Sequence, residues 1–229
     1  NVQKNIIEIL QKNKLSYDIY LHTYDLKFIN NPRSKEINCS LNTNDYKLFN
    51  PNFLSITDQS LFDKSYNLKE VNKNGDPWHD ECKSLQNLLR QLNSLMIVTD
   101  LWINKGNNYK CFIYLRSDLK YSKLDINSVK DIIRNPDKNN IYVPMWQVDP
   151  CTSCNDRFAI GTKKSILKWS RRYTECFDYA DKHKLHSETF LKYILDFYKI
   201  KIKKLNMFGI RIRADGTIQC RDKNLIKYV

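Results

Sequence analysis

Arg116 and Asp118, two residues apart, follow directly on the apolar run 111–115. A compact run of Phe, Ile, Tyr and Leu reads as a buried strand of a parallel or mixed sheet. Ligands of open α/β sheets lie outside the carboxyl ends of the strands. Arg116 and Asp118 therefore stand where a phosphate, or a metal bound to one, would sit. The plainer alternative is that Asp118 caps the next turn.

A second charged pair, Asp156-Arg157, enters the apolar run 158–161 after a loop with Pro and Cys. Asp156 suits a general base or a group that holds a sugar hydroxyl. Arg157 suits a phosphate, or an ion pair that locks Asp156 in a turn. A third cluster is Leu185-His186-Ser187-Glu188. His186 is a candidate metal ligand or base, or a residue that merely precedes a helix. Glu188 can bind a substrate hydroxyl or favour the helix dipole. His22 lies at the end of a strand and makes a candidate wall for a nucleotide base.

The seven cysteines are odd in number and irregular in spacing, which makes a poor disulfide framework. Reduced thiols in a cytosol-like compartment fit best. The lone CxxC at 151–154 lacks the two further ligands that structural zinc needs, and we read it as a loop with two incidental thiols. Walker A, GxGxxG, GxSxG and kinase motifs are absent.

The elements that must position these residues follow from periodicity. Leu85, Leu88, Leu89, Leu92, Leu95 and Met96 predict a helix over 84–99, with Asn87, Arg90, Gln91 and Ser94 on another face. Residues 1–15 predict a helix with Val2, Ile6, Ile9 and Leu10 inward. Most nucleotide-binding α/β domains open with a strand. Either this one does not, or that strand lies outside the sequence. Strands are expected over 17–23 and 141–148, and a helix over 163–182. A helix N-capped by Ser187 is expected through 198. A hairpin is expected about Asp215-Gly216. Residues 24–83 read as a long polar loop with turn signals at Asn31-Pro32, Asn50-Pro51, Asn74-Gly75 and Asp76-Pro77. The alternating stretch 199–204 fits a strand or a helix end.

With 229 residues and 41% hydrophobic composition the chain can bury a core, so wholesale disorder is excluded. The reading is a single domain over 1–229. The net charge of +13 favours anionic partners. Its lysines and arginines are dispersed, with dense groups at Lys163-Lys164, Arg171-Arg172 and 199–204. They read as a solvated basic surface rather than a nucleic-acid reader. No apolar run is long enough for a membrane span or resembles a signal peptide.

Taken in order, 17–24, the helix around Arg90-Gln91-Leu92-Asn93-Ser94-Leu95, 114–118 and 155–161 resemble the GT-A-type nucleotide-sugar glycosyltransferases. The likeness is to the group from large DNA viruses and microbes, and it spans roughly residues 2–215. It implies a Rossmann-like, mostly parallel mixed sheet flanked by helices. It implies transfer of a sugar from a nucleotide-diphosphate donor, such as a UDP-sugar, to a glycan or protein hydroxyl. The family's Asp-x-Asp holds a divalent metal on the donor diphosphate. Here Arg116 replaces the first Asp. Asp118, with His186, remains to hold Mn²⁺ or Mg²⁺, or Arg116 itself supplies the charge. The likeness assigns Arg90, Arg116, Asp118, His22 and Thr23 to the donor. It assigns Asp156, Arg157 and Glu188 to the acceptor, with Asp156 as base if configuration inverts. It also implies a strand before the first helix, and the cytoplasm, that of a host if the chain is viral. The alternatives are a catalytically inactive module of the same fold and a basic nucleic-acid-binding protein.

Overall fold

The computed structural model describes residues 1–229 except Pro32, Arg33 and Lys35. The turn signal at Asn31-Pro32 therefore falls partly outside the described residues. The chain is a mixed α/β protein whose strands, among the described residues, form four separate small sheets. The expected single, mostly parallel sheet does not form among the described residues.

The largest sheet has four strands. β5 (Phe112–Leu115) lies beside β8 (Phe158–Gly161), β8 beside β7 (Asn140–Pro144), and β7 beside β9 (Lys201–Leu205). β8 is antiparallel to both neighbours, while β7 and β9 are parallel. The alternation of strand side chains explains the two layers packed on it. Phe112, Tyr114, Ile141, Val143 and Ala159 face one core with Trp102, Ile166, Trp169, Leu191 and Leu195. Phe158 and Ile160 face the other, with Ile6, Leu10, Val129 and Ile132. Those side chains come from five helices. α1 opens as a widened turn over Gln3–Ile7 and continues over Glu8–Lys12. α4 (Lys83–Lys105) and α5 (Ile126–Arg134) precede β7. α6 (Lys163–Ser170) and α8 (Ser187–Phe197) follow β8. Gly161 ends β8 without a side chain because a Cβ there would meet Ser165 Oγ at 2.6 Å and Ile166 at 2.9 Å.

The predicted helix at 84–99 is real and longer, stopped by Gly106 in the left-handed region at φ 68°. Other expectations need correction. Residues 24–83 are not a loop. They hold a hairpin of β2 (Phe28–Asn31) and β3 (Glu36–Ser40), then β4 (Phe53–Asp58), α2 (Gln59–Lys64) and α3 (Leu68–Val71). The expected 17–23 strand is β1 (Tyr20–Asp25), paired in parallel with β4. The 163–182 helix breaks after Ser170 into a 3₁₀ turn, Arg172–Glu175, and α7 (Cys176–Ala180). His186 is the residue before α8, and Ser187 is its first residue rather than its cap. The extended run at 141–148 stops as β7 at Pro144, and 199–204 resolves as strand β9. Around Gly216 the chain closes a tight turn, with one bridge between Ile212 and Ile218. Its leading strand, β10 (Gly209–Arg211), pairs instead with β6 (Leu119–Tyr121). No helix among the described residues is long and apolar enough to cross a membrane.

β8 joins both cores, so its burial should dominate stability. Ile160, fully buried, should cost about 2–5 kcal/mol on truncation to Ala. The check is urea denaturation, with a lowered midpoint and an unchanged slope.

Candidate functional site

A cleft of about 1670 Å³ runs along the carboxyl ends of β1 and β5, and Arg90, Arg116, Asp118, Asp156, His22, Thr23, Arg157, His186 and Glu188 all line it. The convergence comes from one register. β5 and β8 are antiparallel with Leu115 opposite Phe158, so the chain leaving β5 meets the chain entering β8. Arg116-Ser117-Asp118 and Asp156-Arg157 are therefore neighbours. Tyr121 from β6 ties them: its hydroxyl accepts from the Arg116 N–H at 3.0 Å, and lies 3.0 Å from the Arg116 carbonyl and 3.3 Å from that of Arg157.

Arg116 grips Asp118 with two bonds, Nε to Oδ1 at 3.0 Å and Nη2 to Oδ2 at 2.6 Å. Both side chains stay partly open to the cleft, at 36% and 42% exposure. Burial opposes both charges. The Arg116 guanidinium nevertheless holds Asp118 below the usual carboxylate range, and Asp118 with Asp156 raises Arg116. This pair bears on a metal site. Asp118 offers an oxygen, but each of its oxygens already accepts a hydrogen bond from Arg116. Among the described residues no three His, Cys, Asp or Glu side chains gather around one point. The residues do not fit a divalent metal as they stand.

Asp156 is buried and accepts from Gln91 Nε2 at 2.8 Å. Burial disfavours its charge. Arg157, Arg172 and Arg116, helped by Gln91, outweigh that and lower its pKa. Arg157 Nη2 donates to Glu188 Oε1 at 3.0 Å, and its guanidinium lies 5.1 Å over the Trp146 ring. Among the described residues, Arg157 Nε and Nη1 are buried without a hydrogen-bond partner. His186 Nδ1 stands 3.4 Å from Glu188, and its ring stacks on Trp78 at 5.1 Å. Trp78 is held there by Asp76, whose carboxylate accepts from the N–H groups of Trp78, Asp80 and Cys82.

Two assigned residues are less free than expected. Arg90 reaches the cleft, but Asp63 on α2 accepts from its Nε at 2.9 Å and Nη2 at 2.7 Å, and Asn87 accepts from Nη1. Its charge is answered within the protein. His22 spends both ring nitrogens, Nδ1 on the Ser94 hydroxyl at 2.7 Å and Nε2 on the Thr57 hydroxyl at 2.8 Å. Burial lowers its pKa to about 4, so the ring is neutral at pH 7. Thr23 Oγ1 donates to the Tyr24 carbonyl at 3.3 Å.

Several residues escaped the sequence reading. Arg172, in a basic pair taken for surface, is fully buried, and burial brings its pKa down to about 10. Arg211 and Arg213 form the far wall. Arg211 pairs with buried Asp222, Nη2 to Oδ1 at 2.7 Å, and Arg213 Nη1 stands 3.5 Å from Glu36. No local pattern marks either arginine, since their partners lie 11 and 177 residues away. The polar face of α4 was the usable signal: Asn87, Arg90, Gln91 and Ser94 all line the cleft.

Comparison with protein-family models, with curated proteins and with solved structures finds no match.

His22 gives the cleft a pH dependence of known sign. Its folded pKa of about 4 lies below the ordinary histidine value of 6.5, so its contribution is complete above pH 6.5. That contribution is lost as pH falls from 6.5 through 4. Allowing for partial exposure, the loss is on the order of 1 kcal/mol. Chemical denaturation at pH 7 and pH 4.5 should show a smaller decline in His22→Gln than in the parent.

Proposed function

We propose that the cleft binds a nucleotide-diphosphate sugar and transfers its sugar to a hydroxyl of a glycan or protein acceptor. The resemblance in the sequence supplies the class. One observation carries it further: the β5–β8 register brings a cleft-facing arginine–aspartate pair and a buried, ionised aspartate to one wall.

In this reading the donor diphosphate lies along Arg116. The acceptor oxygen bonds to the anomeric carbon as the bond from that carbon to the phosphate oxygen breaks. Negative charge grows on the departing diphosphate, and Arg116 meets it with charged hydrogen bonds. Asp156 accepts a hydrogen bond from the acceptor hydroxyl and orients it. A carboxylate with a lowered pKa is a poor proton acceptor. The acceptor proton therefore passes to the departing phosphate oxygen. Glu188 and the unpartnered side of Arg157 complete the acceptor side. The inactive-module reading draws on the same Arg116–Asp118 closure, and donor turnover separates the two.

A screen of nucleotide sugars by thermal shift, with and without Mn²⁺, tests this. A donor at about a hundredfold excess over its Kd should raise Tm by roughly 5–10 °C. Arg116→Ala should remove that rise, and Asp118→Ala should leave most of it if Arg116 rather than a metal holds the diphosphate. No shift with any nucleotide sugar, alongside a salt-sensitive shift with oligonucleotides, would favour the nucleic-acid reading. Donor binding without release of free nucleotide marks the inactive module.

A further inference from the structure

The loop that leads into α4 holds backbone strain against the wall of the cleft. His79, Glu81 and Cys82 all sit in the left-handed region, at φ 53°, 58° and 62°. Residues other than glycine stay there only where their surroundings enforce it, and such positions gather at binding sites. Asp76 enforces it here. Its Oδ1 accepts from the Trp78 N–H at 2.9 Å, and its Oδ2 from the N–H groups of Asp80 and Cys82 at 2.9 and 3.0 Å. Asp80 accepts in turn from the Ser84 N–H at 3.1 Å, which ties the loop to the first turn of α4.

The loop delivers Trp78 to the cleft. The indole packs against the core of Leu85, Leu88 and Leu185, yet it stays half-buried and lines the cleft. The His186 ring stacks on it at 5.1 Å with 30° between the planes, and 35% of the His186 side chain remains exposed. Two rings held this way make a flat aromatic surface. Glu188 borders it. Glu188 Oε1 accepts from Arg157 at 3.0 Å, and Oε2 from the Ser187 hydroxyl at 2.5 Å. Each carboxylate oxygen can accept twice, so acceptor capacity remains. Arg157 answers the charge of Glu188, which leaves this corner of the cleft close to neutral.

These walls select a ligand. A pyranose has a face of C–H bonds that packs on an aromatic ring, and a rim of hydroxyls that donate to carboxylates. A nucleobase also stacks, but it brings phosphates, and the arginine at this corner is already spent on Glu188. We infer that Trp78 and His186 form a platform for a neutral pyranose, whose hydroxyls donate to Glu188. The acceptor is then a glycan rather than a protein hydroxyl. Calling this sugar the acceptor rests on the transferase reading; the sugar site itself does not. Trp78 acts here as a specificity residue, set in place by Asp76.

The test uses the whole chain without donor and a panel of methyl glycosides and disaccharides of neutral hexoses. Binding is followed by tryptophan fluorescence and saturation-transfer NMR in the parent, Trp78→Phe and Trp78→Leu. Leucine keeps the contact with the core and removes the aromatic face. At least one glycoside should bind the parent, Trp78→Phe should bind it within about twofold, and Trp78→Leu about fivefold or more weakly. His186→Ala should weaken binding as well, and it decides the matter if Trp78→Leu does not fold. No binding by the parent, or equal binding by the Phe and Leu variants, overturns the inference. The thermal shift with nucleotide sugars separates it from the transferase reading. That shift should survive in Trp78→Leu. Its loss there means that the rings hold the nucleotide base, which overturns the sugar platform and leaves the transferase reading standing. Glycoside binding that depends on Trp78, with no response to any nucleotide sugar, upholds the platform and sinks the transferase reading.

Discussion

The direction of β8 is the constraint on which the site depends. In an antiparallel pair the end of one strand lies beside the start of the next, and Leu115 opposite Phe158 fixes that register. Were β8 parallel to β5, Asp156 and Arg157 would emerge at the opposite edge, about the length of a strand from Arg116. Three side chains hold this junction in place. Tyr121 braces both backbones, Gln91 reaches Asp156 from α4, and Glu188 reaches Arg157 from α8.

The junction buries charge, and buried charge persists only when answered. Asp156 serves three guanidiniums, those of Arg157, Arg172 and Arg116. The same rule shapes the far wall, where Arg211 is closed by Asp222 and Arg213 faces Glu36. The cleft is thus rich in ions and nearly neutral locally. The net charge of +13 is not concentrated there. Arg116 differs from these arginines in that its ion-pair partner, Asp118, shares its exposure to solvent.

How much of this was legible in the sequence depended on range. Helices α4 and α8 announce themselves through three- and four-residue spacing, and β5 through its compact apolar run. The cleft-facing side of α4 showed in Asn87, Arg90, Gln91 and Ser94. Strand β4 did not, because Leu54 and Ile56 lie on its exposed side and blur the alternation that marks a half-buried strand. The break after Ser170 was hidden because an arginine pair reads as helix surface until one member is found in the core. Strand direction has no local signature at all. The residues singled out from the sequence line one cleft, but the reason they meet is a pairing set by tertiary packing.

The lowered pKa of Asp156 bears on what such a site can do. A general base works best with a pKa near the operating pH, which enzymes reach by burying a carboxylate away from cations. Here burial is present, yet three arginines reverse its effect. Removing Asp156 would leave Arg172 buried with Nε and Nη2 already lacking partners, and a buried charge without its counter-ion is the costly case. The carboxylate is therefore first an anchor for cations and only then a contact for substrate. In the proposed transfer such a group stays ionised and orients the acceptor, while the proton leaves on the phosphate oxygen.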